Sequence, residues 1–210
     1  HWHGDHTGGN EDFGETGSLI VAHENVYRRM NPEDFPEVMG STEQASDAAL
    51  PVVTFNDAVT FHWNGDHIRA FHVDQAHTDG DAVVHFRDSD VLHMGDIFFN
   101  GFYPFIDVES GGSIHGVIVG AEEGLRLAGA DTRIIPGHGP LTDADGLRRY
   151  LRMLRTVRDR VQALVDEGMT EDEVVAEAPT SDFDDEWGGS DFMPPERFVR
   201  LVYRGMVRER

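Results

Sequence analysis

Five short segments with the composition of β-strands lie between residues 51 and 95, and they constrain the fold more than any other feature of the chain. They are PVVTF, AVTFHW, HIRAFHV, AVVHF and DVLHM, rich in Val, Phe, Ile and His. Polar breakers separate them, and Asn64-Gly65-Asp66 is typical of a tight hairpin turn. Segments this short and this closely spaced predict a sheet of largely antiparallel strands.

Helical patterns follow these strand segments. Apolar residues recur at helical spacing over 114–128 after Ser113, a candidate N-cap. A strand-like segment at 132–136 comes next, and a longer apolar stripe then runs over 147–165. Pro195 opens a last amphipathic segment, since proline is favoured in the first turn of a helix. The order of strands, helix, strand and helix predicts an α/β protein.

The charge of the chain excludes several classes of partner. The 210 residues include 39 acidic and 17 basic residues, a formal net charge of −22, and every basic residue is arginine. Binding to nucleic acids or to anionic membrane surfaces requires an excess of positive charge and is not expected. No apolar run approaches the ~20 residues of a membrane span. We expect a small-molecule substrate, while the compartment, periplasmic or cytoplasmic, and the oligomeric state stay open.

The excess of acidic residues has two interpretations. A high-GC genome favours arginine codons, and ordinary solubility charge would account for the rest. Alternatively, the chain is halophilic. At ~1 M salt the Debye length is ~3 Å, so the self-repulsion of such a surface would be screened.

A cluster of candidate metal ligands opens the chain. His1, His3, Asp5 and His6 stand within the six residues HWHGDH. In an extended segment His1 and His3 share a face and can converge on one ion. A turn at Gly4 would direct Asp5 and His6 toward a second ion.

Three further candidates stand where a strand-like segment meets a glycine-containing loop. They are His77 in AHTDGD, Asp96 in MGD and His138 in PGHGP. Loops at the ends of strands are the usual location of site residues. The sequence has no cysteine, which excludes thiolate ligands and a cysteine nucleophile. Imidazole and carboxylate ligands suit Zn, Fe, Mn or Ni.

This ordered set, HxHxDH followed by a single His, a single Asp and a final His, resembles the metallo-β-lactamase superfamily over residues 1 to 140. The resemblance implies an αββα sandwich, with a catalytic domain over 1–168 and a C-terminal helical extension over 169–210. It implies two Zn²⁺ ions, with Fe or Mn as alternatives. It also implies their ligands: His1, His3 and His77 for one ion, Asp5, His6 and His138 for the other, and Asp96 as the bridge.

Details within the pattern favour a hydrolytic branch of the superfamily. Asp96 stands where some β-lactamases have a cysteine, which is closer to the glyoxalase II-like hydrolases. His3 stands where flavodiiron proteins have a glutamate, which disfavours that redox branch. The stretches AHTDGDAVVHF and GDIFFNGFYPFID are also similar to those of the SoxH-like zinc hydrolases.

The resemblance implies a metal-dependent hydrolase in which a hydroxide shared by two zinc ions attacks a carbonyl carbon. Esters, lactones, thioesters and amides, β-lactams included, are the candidate substrates. Asp5 is the candidate for orienting the nucleophile and accepting its proton. The absence of arginine between Arg87 and Arg126 favours a neutral substrate. The alternatives are a mononuclear iron oxidoreductase similar to persulfide dioxygenases and a non-catalytic binding subunit.

Two expectations concern the surroundings of these ligands. Ligating imidazoles usually donate their second N–H to a carboxylate or carbonyl group. Asp79 and Asp81, beside His77, are the candidate acceptors, with Thr7 and Thr78 as further candidates. The aromatic residues between 98 and 105 are expected to divide between the core and a pocket wall.

The position of the motif predicts a missing upstream segment. In the family, HxHxDH follows a strand, and the preceding strands form much of one sheet. Because His1 is the first residue here, we expect the sandwich to lack its first strands and a β-rich segment to precede this sequence.

Overall fold

The computed structural model describes residues 1–36 and 43–208 and contains two β-sheets flanked by helices. One sheet has five strands in the order β3-β4-β5-β6-β7, and the other is the parallel pair β1-β2. The predicted α/β class is confirmed. The strands are β1 (Val21–His23), β2 (Val53–Phe55), β3 (Ala58–Trp63), β4 (Asp66–His72), β5 (Ala82–Phe86), β6 (Val91–Phe99) and β7 (Arg133–His138).

The five-stranded sheet is antiparallel from β3 to β6, and β7 joins it parallel to β6. The predicted hairpin turn connects β3 to β4. Asn64 and Gly65 have φ angles of 53° and 78°, the left-handed conformation that a tight hairpin turn requires. The turn pairs His62 with His67 across the two strands. Four of the five predicted segments form β3 to β6 of this sheet, whereas the first, PVVTF, contributes β2, which pairs parallel with β1 in the other sheet.

The helices begin and end where local signals place them. The Ser113 hydroxyl caps α4 by accepting a hydrogen bond from the His115 amide, and Asp143 caps α5 through the Asp145 amide. Gly168, just after α5, has a φ of 83°, which glycine adopts without strain. The helices are α1 (Gly4–Thr7), α2 (Asn10–Glu15), α3 (Glu24–Met30), α4 (Ile114–Leu127), α5 (Ala144–Asp166), α6 (Glu171–Ala176), α7 (Asp184–Trp187) and α8 (Pro195–Arg208).

The main core lies between the five-stranded sheet and the long helices. Ile97, Val117 and Leu154, from β6, α4 and α5, are fully buried in it. Phe198 of α8 and Trp187 belong to the same core, so the residues after 168 pack directly on those before it. The division of the chain at residue 168 stays a prediction. Among the described residues, none of the helices is long and apolar enough to cross a membrane.

Part of one predicted segment cannot be compared with the structure. The sequence predicts a loop or partly helical lid over 31–50, and residues 37–42 of it lie outside the described residues. On either side, Met30, Ala49 and Leu50 pack in a second, smaller apolar cluster together with Val26. This cluster supports α3 close to the first residues of the chain, because the partly buried Trp2 packs against it.

Candidate metal centre

Three imidazoles from distant parts of the chain converge in the first group of candidate ligands. His1 and His3 lie in extended backbone before α1, and His77 lies on the turn between β4 and β5. His3 Nδ1 is 3.0 Å from His1 Nε2 and 3.0 Å from His77 Nε2. His77 is completely buried. The structure thus brings together the three residues predicted to hold one ion.

The hydrogen bonds behind these rings decide which nitrogens are free. The His77 Nδ1–H donates to the Phe105 carbonyl oxygen at 2.7 Å, and a carbonyl can only accept, so His77 Nε2 keeps its lone pair. His3 Nε2 is 2.9 Å from Asp107 Oδ2. Burial raises the pKa of Asp107, but hydrogen bonds from His3 and Ser110 outweigh it and lower the pKa to about 2. An ionised Asp107 requires His3 to donate from Nε2, which leaves Nδ1 free to bind a metal.

Asp107 and the Phe105 carbonyl were not among the residues predicted to orient the ligands. The predicted acceptors have other partners. Asp79 forms a bidentate ion pair with Arg29, at 2.8 Å for both contacts, and Asp81 accepts hydrogen bonds from Thr78. No local pattern marks Asp107, because it lies 104 residues from His3 in sequence. Only the folded loop after β6 brings the two together.

The second group of candidate ligands combines two carboxylates with two imidazoles. Asp5 Oδ2 is 3.4 Å from His6 Nε2 and 3.2 Å from His138 Nε2. His6 and His138 each contact Asp96, His6 Nε2 at 3.0 Å and His138 Nε2 at 3.3 Å. Asp5 and His6 lie in α1, which begins at Gly4 where the sequence predicts a turn, whereas His1 and His3 precede this helix. Candidate ligand atoms of the group all lie within 4.8 Å of one another.

Asp96 lies between the two groups. Its Oδ2 atom is 3.5 Å from His77 Nε2 and 3.8 Å from His1 Nε2, in addition to its contact with His138. The residue is 4% exposed. It stands within β6, where the register with β7 is irregular and Gly95 has a φ of 53°, rather than in a loop after the strand. This irregularity turns the Asp96 side chain toward both histidine groups.

The arrangement of the candidate ligand atoms suits coordination of metal ions better than hydrogen bonds among these side chains. Asp96 Oδ1 is buried and, within the described residues, has no hydrogen bond of acceptable geometry, although His6 Nε2 is only 3.0 Å away. Burial raises the pKa of Asp96, but its histidine neighbours outweigh it and lower the pKa. Burial also lowers the pKa of His77, which favours neutral imidazole. Neutral imidazoles and ionised carboxylates whose lone pairs converge are ligands that zinc and other divalent transition metals accept.

A cavity of about 440 Å³ opens over both groups, and its far wall is aromatic. As predicted, the aromatic residues between 98 and 105 divide between two environments: Phe98 and Tyr103 are fully buried in the core, whereas Phe99, Phe102 and Phe105 line the cavity. The complete lining is His3, Asp5, Asp96, Phe99, Phe102, Phe105, His138, Ser190 and Phe192. The centre therefore has one polar side that carries the candidate ligands and one apolar side.

Glycine at position 137 is needed for Asp96 to occupy its place. A Cβ atom there would lie 2.0 Å from Asp96 Oδ1 and 2.7 Å from the Gly95 carbonyl carbon. We expect Gly137→Ala to displace the Asp96 carboxylate and to lower the metal occupancy of the chain, measured by metal analysis. Gly129→Ala is the control, because its Cβ would meet only Thr132 Oγ1, at 3.6 Å. Full occupancy in the Gly137→Ala chain would contradict this prediction.

Replacement of Asp107 tests the orientation of His3. Asparagine keeps the size of the side chain but removes the charge that makes His3 donate from Nε2. We expect Asp107→Asn to weaken zinc binding by about 10–100-fold, the usual effect of losing such a partner. Competition with a chromogenic zinc chelator measures the affinity. Asp131→Asn, at an exposed position outside both groups of candidate ligands, serves as the control. Equal affinities for the two variants would show that Asp107 does not orient His3.

Two adjoining groups of histidine and carboxylate side chains, which join the first residues of the chain to the five-stranded sheet, thus form a candidate site for metal ions. The family model of the metallo-β-lactamase superfamily matches residues 1–159. The chain belongs to this superfamily, as the resemblance of its motifs predicts.

Solved structures of several metallo-β-lactamases share the fold. The metallo-β-lactamase from Pontibacter korlensis is 20% identical, with a TM-score of 0.57 over 74% of this chain and 66% of that chain. The DIM-1 enzyme is 19% identical, with a TM-score of 0.57 and the same coverage of both chains. The BLEG-1 B3 enzyme is 20% identical, with a TM-score of 0.58 over 73% of this chain and 74% of that chain. The match thus spans about two thirds of the first two enzymes. No curated protein matches the sequence.

Proposed function

We propose that the chain is a dinuclear zinc hydrolase of the glyoxalase II-like or SoxH-like branch that cleaves an ester, lactone, thioester or amide. The observation that carries this proposal is the position of Asp96, whose carboxylate contacts candidate ligands of both groups. A carboxylate so placed suits a pair of ions better than one ion. The proposed ligands are His1, His3 and His77 for one ion, Asp5, His6 and His138 for the other, and Asp96 between them.

Bound zinc would supply Lewis acidity and lower the pKa of a water molecule toward about 7. The protein side chains would orient the water molecule and accept its proton. The Asp5 side chain is 55% exposed, which makes it the carboxylate of the site that is most open to the cavity. In our proposal Asp5 orients the attacking water and accepts its proton at Oδ2. The cavity lining holds no arginine among the residues that the structure describes, which supports a neutral substrate.

Metal analysis combined with a substrate panel tests this function. We expect two zinc ions per chain, and hydrolysis of at least one member of a panel of esters, lactones, thioesters and β-lactams. Because the chain has no cysteine, the thiol released from a thioester can be titrated without background from the protein. One iron per chain with oxygen consumption would instead support a persulfide dioxygenase-like activity. A chain that binds metal but turns over no substrate would favour a binding subunit.

The acidic surface predicts that salt stabilises the protein. The arginines form exposed ion pairs such as Arg155–Glu122 at 2.7 Å and Arg158–Asp159 at 2.6 Å, and such pairs contribute only ~0–1 kcal/mol each. Added salt would therefore cost little stability through the loss of these ion pairs. It would also screen the repulsion among the acidic side chains that give the chain its net charge of −22. We expect the Tm to rise steadily between about 0.1 M and 2 M KCl. A flat or falling Tm would exclude salt adaptation, and a sucrose series controls for excluded-volume effects.

A further inference from the structure

Part of the cavity wall comes from a segment outside the family match. Ser190 and Phe192 line the cavity beside the candidate ligands, whereas the superfamily model ends at residue 159. Phe192 extends the aromatic wall, because its ring lies 6.1 Å from the Phe105 ring in an edge-to-face arrangement. The wall is therefore completed by a part of the chain that the family pattern does not specify.

The segment that carries Phe192 is anchored to the core on both sides. Trp187 and Met193 are buried, and the Trp187 carbonyl accepts a hydrogen bond from the Tyr103 amide at 3.0 Å. The Ser190 hydroxyl accepts from the Phe192 amide at 3.2 Å. Phe192 itself is 54% exposed, although phenylalanine has no polar group to hydrate. An aromatic ring held in the open at a cavity mouth is available for contact with a ligand.

Arg197 holds this ring in place. Its guanidinium lies 5.1 Å from the centre of the Phe192 ring and 5.7 Å from the centre of the Phe105 ring. Arg197 Nη1 donates to the Phe192 carbonyl oxygen at 2.7 Å. The planar Arg197 cation thus contacts both rings and the backbone carbonyl of Phe192, so it links α8 to the wall of the cavity.

The aromatic surface continues from this wall to the candidate ligands. The Phe99 ring is stacked on the His138 ring at 5.1 Å and meets the Phe102 ring edge-to-face at 5.4 Å. If a substrate carbonyl group lay near His138, a flat substituent that extends from it toward the cavity mouth would therefore run along aromatic rings. Such rings prefer an aromatic partner, since edge-to-face and offset contacts add to the burial of apolar surface.

We propose that Phe105 and Phe192, positioned by Arg197, form a specificity wall that binds an aromatic ring carried by the acyl group of the substrate. This inference rests on the hydrolase function proposed above and adds the substrate class: aryl-substituted acyl compounds. Phe192 and Phe105 are specificity-determining residues, and Arg197 is a positioning residue that acts through them.

Binding of small carboxylates, which resemble the acid product, tests the wall without turnover. Acetate, cyclohexylacetate and phenylacetate are titrated calorimetrically into the zinc-loaded full chain. We expect phenylacetate to bind about tenfold or more tighter than acetate, and also tighter than cyclohexylacetate. Phe192→Ala should lose most of this preference, while acetate binding stays unchanged. Phe13→Ala, at another exposed phenylalanine that does not line the cavity, should keep it.

The positioning role of Arg197 has its own readout. Arg197→Gln should reduce the preference for phenylacetate over acetate as far as Phe192→Ala does, and the double variant should show no further loss. General destabilisation would lower the affinity for both ligands equally and leave their ratio unchanged. The proposed specificity wall would be wrong if the ratio of phenylacetate to acetate affinity were equal in the native and Phe192→Ala chains. It would also be wrong if the native chain preferred acetate or cyclohexylacetate. Failure to hydrolyse any panel substrate would overturn only the hydrolase function, because the binding ratio does not depend on turnover.

Discussion

Asp5→Ala is expected to lower kcat by about 10²–10⁴-fold on any substrate that the native chain hydrolyses. Loss of a general base costs rates of this size, and Asp5 is the most exposed carboxylate of the candidate site. Its Oδ2 atom lies within 3.4 Å of both His6 and His138, so it stands beside the place where a water molecule would be activated. Steady-state kinetics at matched zinc content measure the effect.

Two further variants separate the roles of Asp5 as base and as ligand. Asp5→Asn keeps an oxygen that can face the metal but cannot accept the proton, so we expect it to retain more zinc than Asp5→Ala while kcat stays low. Asp12→Ala, at an exposed position in α2, is the control and should behave as the native chain does. Near-native kcat in Asp5→Asn would show that another group takes the proton.

Removal of the metal is expected to have the largest effect on stability. A ligand that binds only the folded chain, at a free concentration 1,000 times its Kd, stabilises it by about 4 kcal/mol. For a chain of this size that corresponds to a Tm change of roughly 8–16 °C, at about 2–4 °C per kcal/mol. A large response is expected because His3 Nδ1 lies 3.0 Å from both His1 Nε2 and His77 Nε2 beside the buried Asp96 carboxylate, so a bound ion would be shared by groups from distant parts of the chain.

The experiment compares thermal unfolding of the zinc-loaded and chelated chains, with residual metal measured. Activity should disappear on chelation and return when zinc is restored. His77→Ala should respond much less than the native chain, whereas His62→Gln, outside both groups, should respond as fully as the native chain does. A native Tm that stays constant while zinc is shown to leave would mean that these residues do not hold a structurally important ion.

Much of the architecture was predictable because its signals are local. The hairpin at Asn64-Gly65 and the cap at Ser113 depend on a few neighbouring residues, and both are found as predicted. The turn at Gly4, where α1 begins, is equally local. Such features depend on backbone conformation and hydrogen bonds between residues two to four positions apart, which a single sequence displays.

The partners of the candidate ligands were not predictable in this way. Asp79 and Asp81 are close to His77 in sequence, but their carboxylates are taken by Arg29 and Thr78. Asp107 orients His3 instead, across 104 positions of the chain. The acceptor of the His77 ring is a backbone carbonyl, which residue identity cannot reveal.

The sequence by itself determined the α/β class, the superfamily and the seven candidate ligands, because their order along the chain and their positions near strand ends are written in residue types and spacings. Only the tertiary structure decided that Asp96 lies between the two groups, that Asp107 fixes the free nitrogen of His3, and that Phe192 lines the cavity with Arg197 packed on its ring. These relations depend on distances between residues far apart in sequence. Those distances are set when β6, the loop after it and α8 pack on a common core.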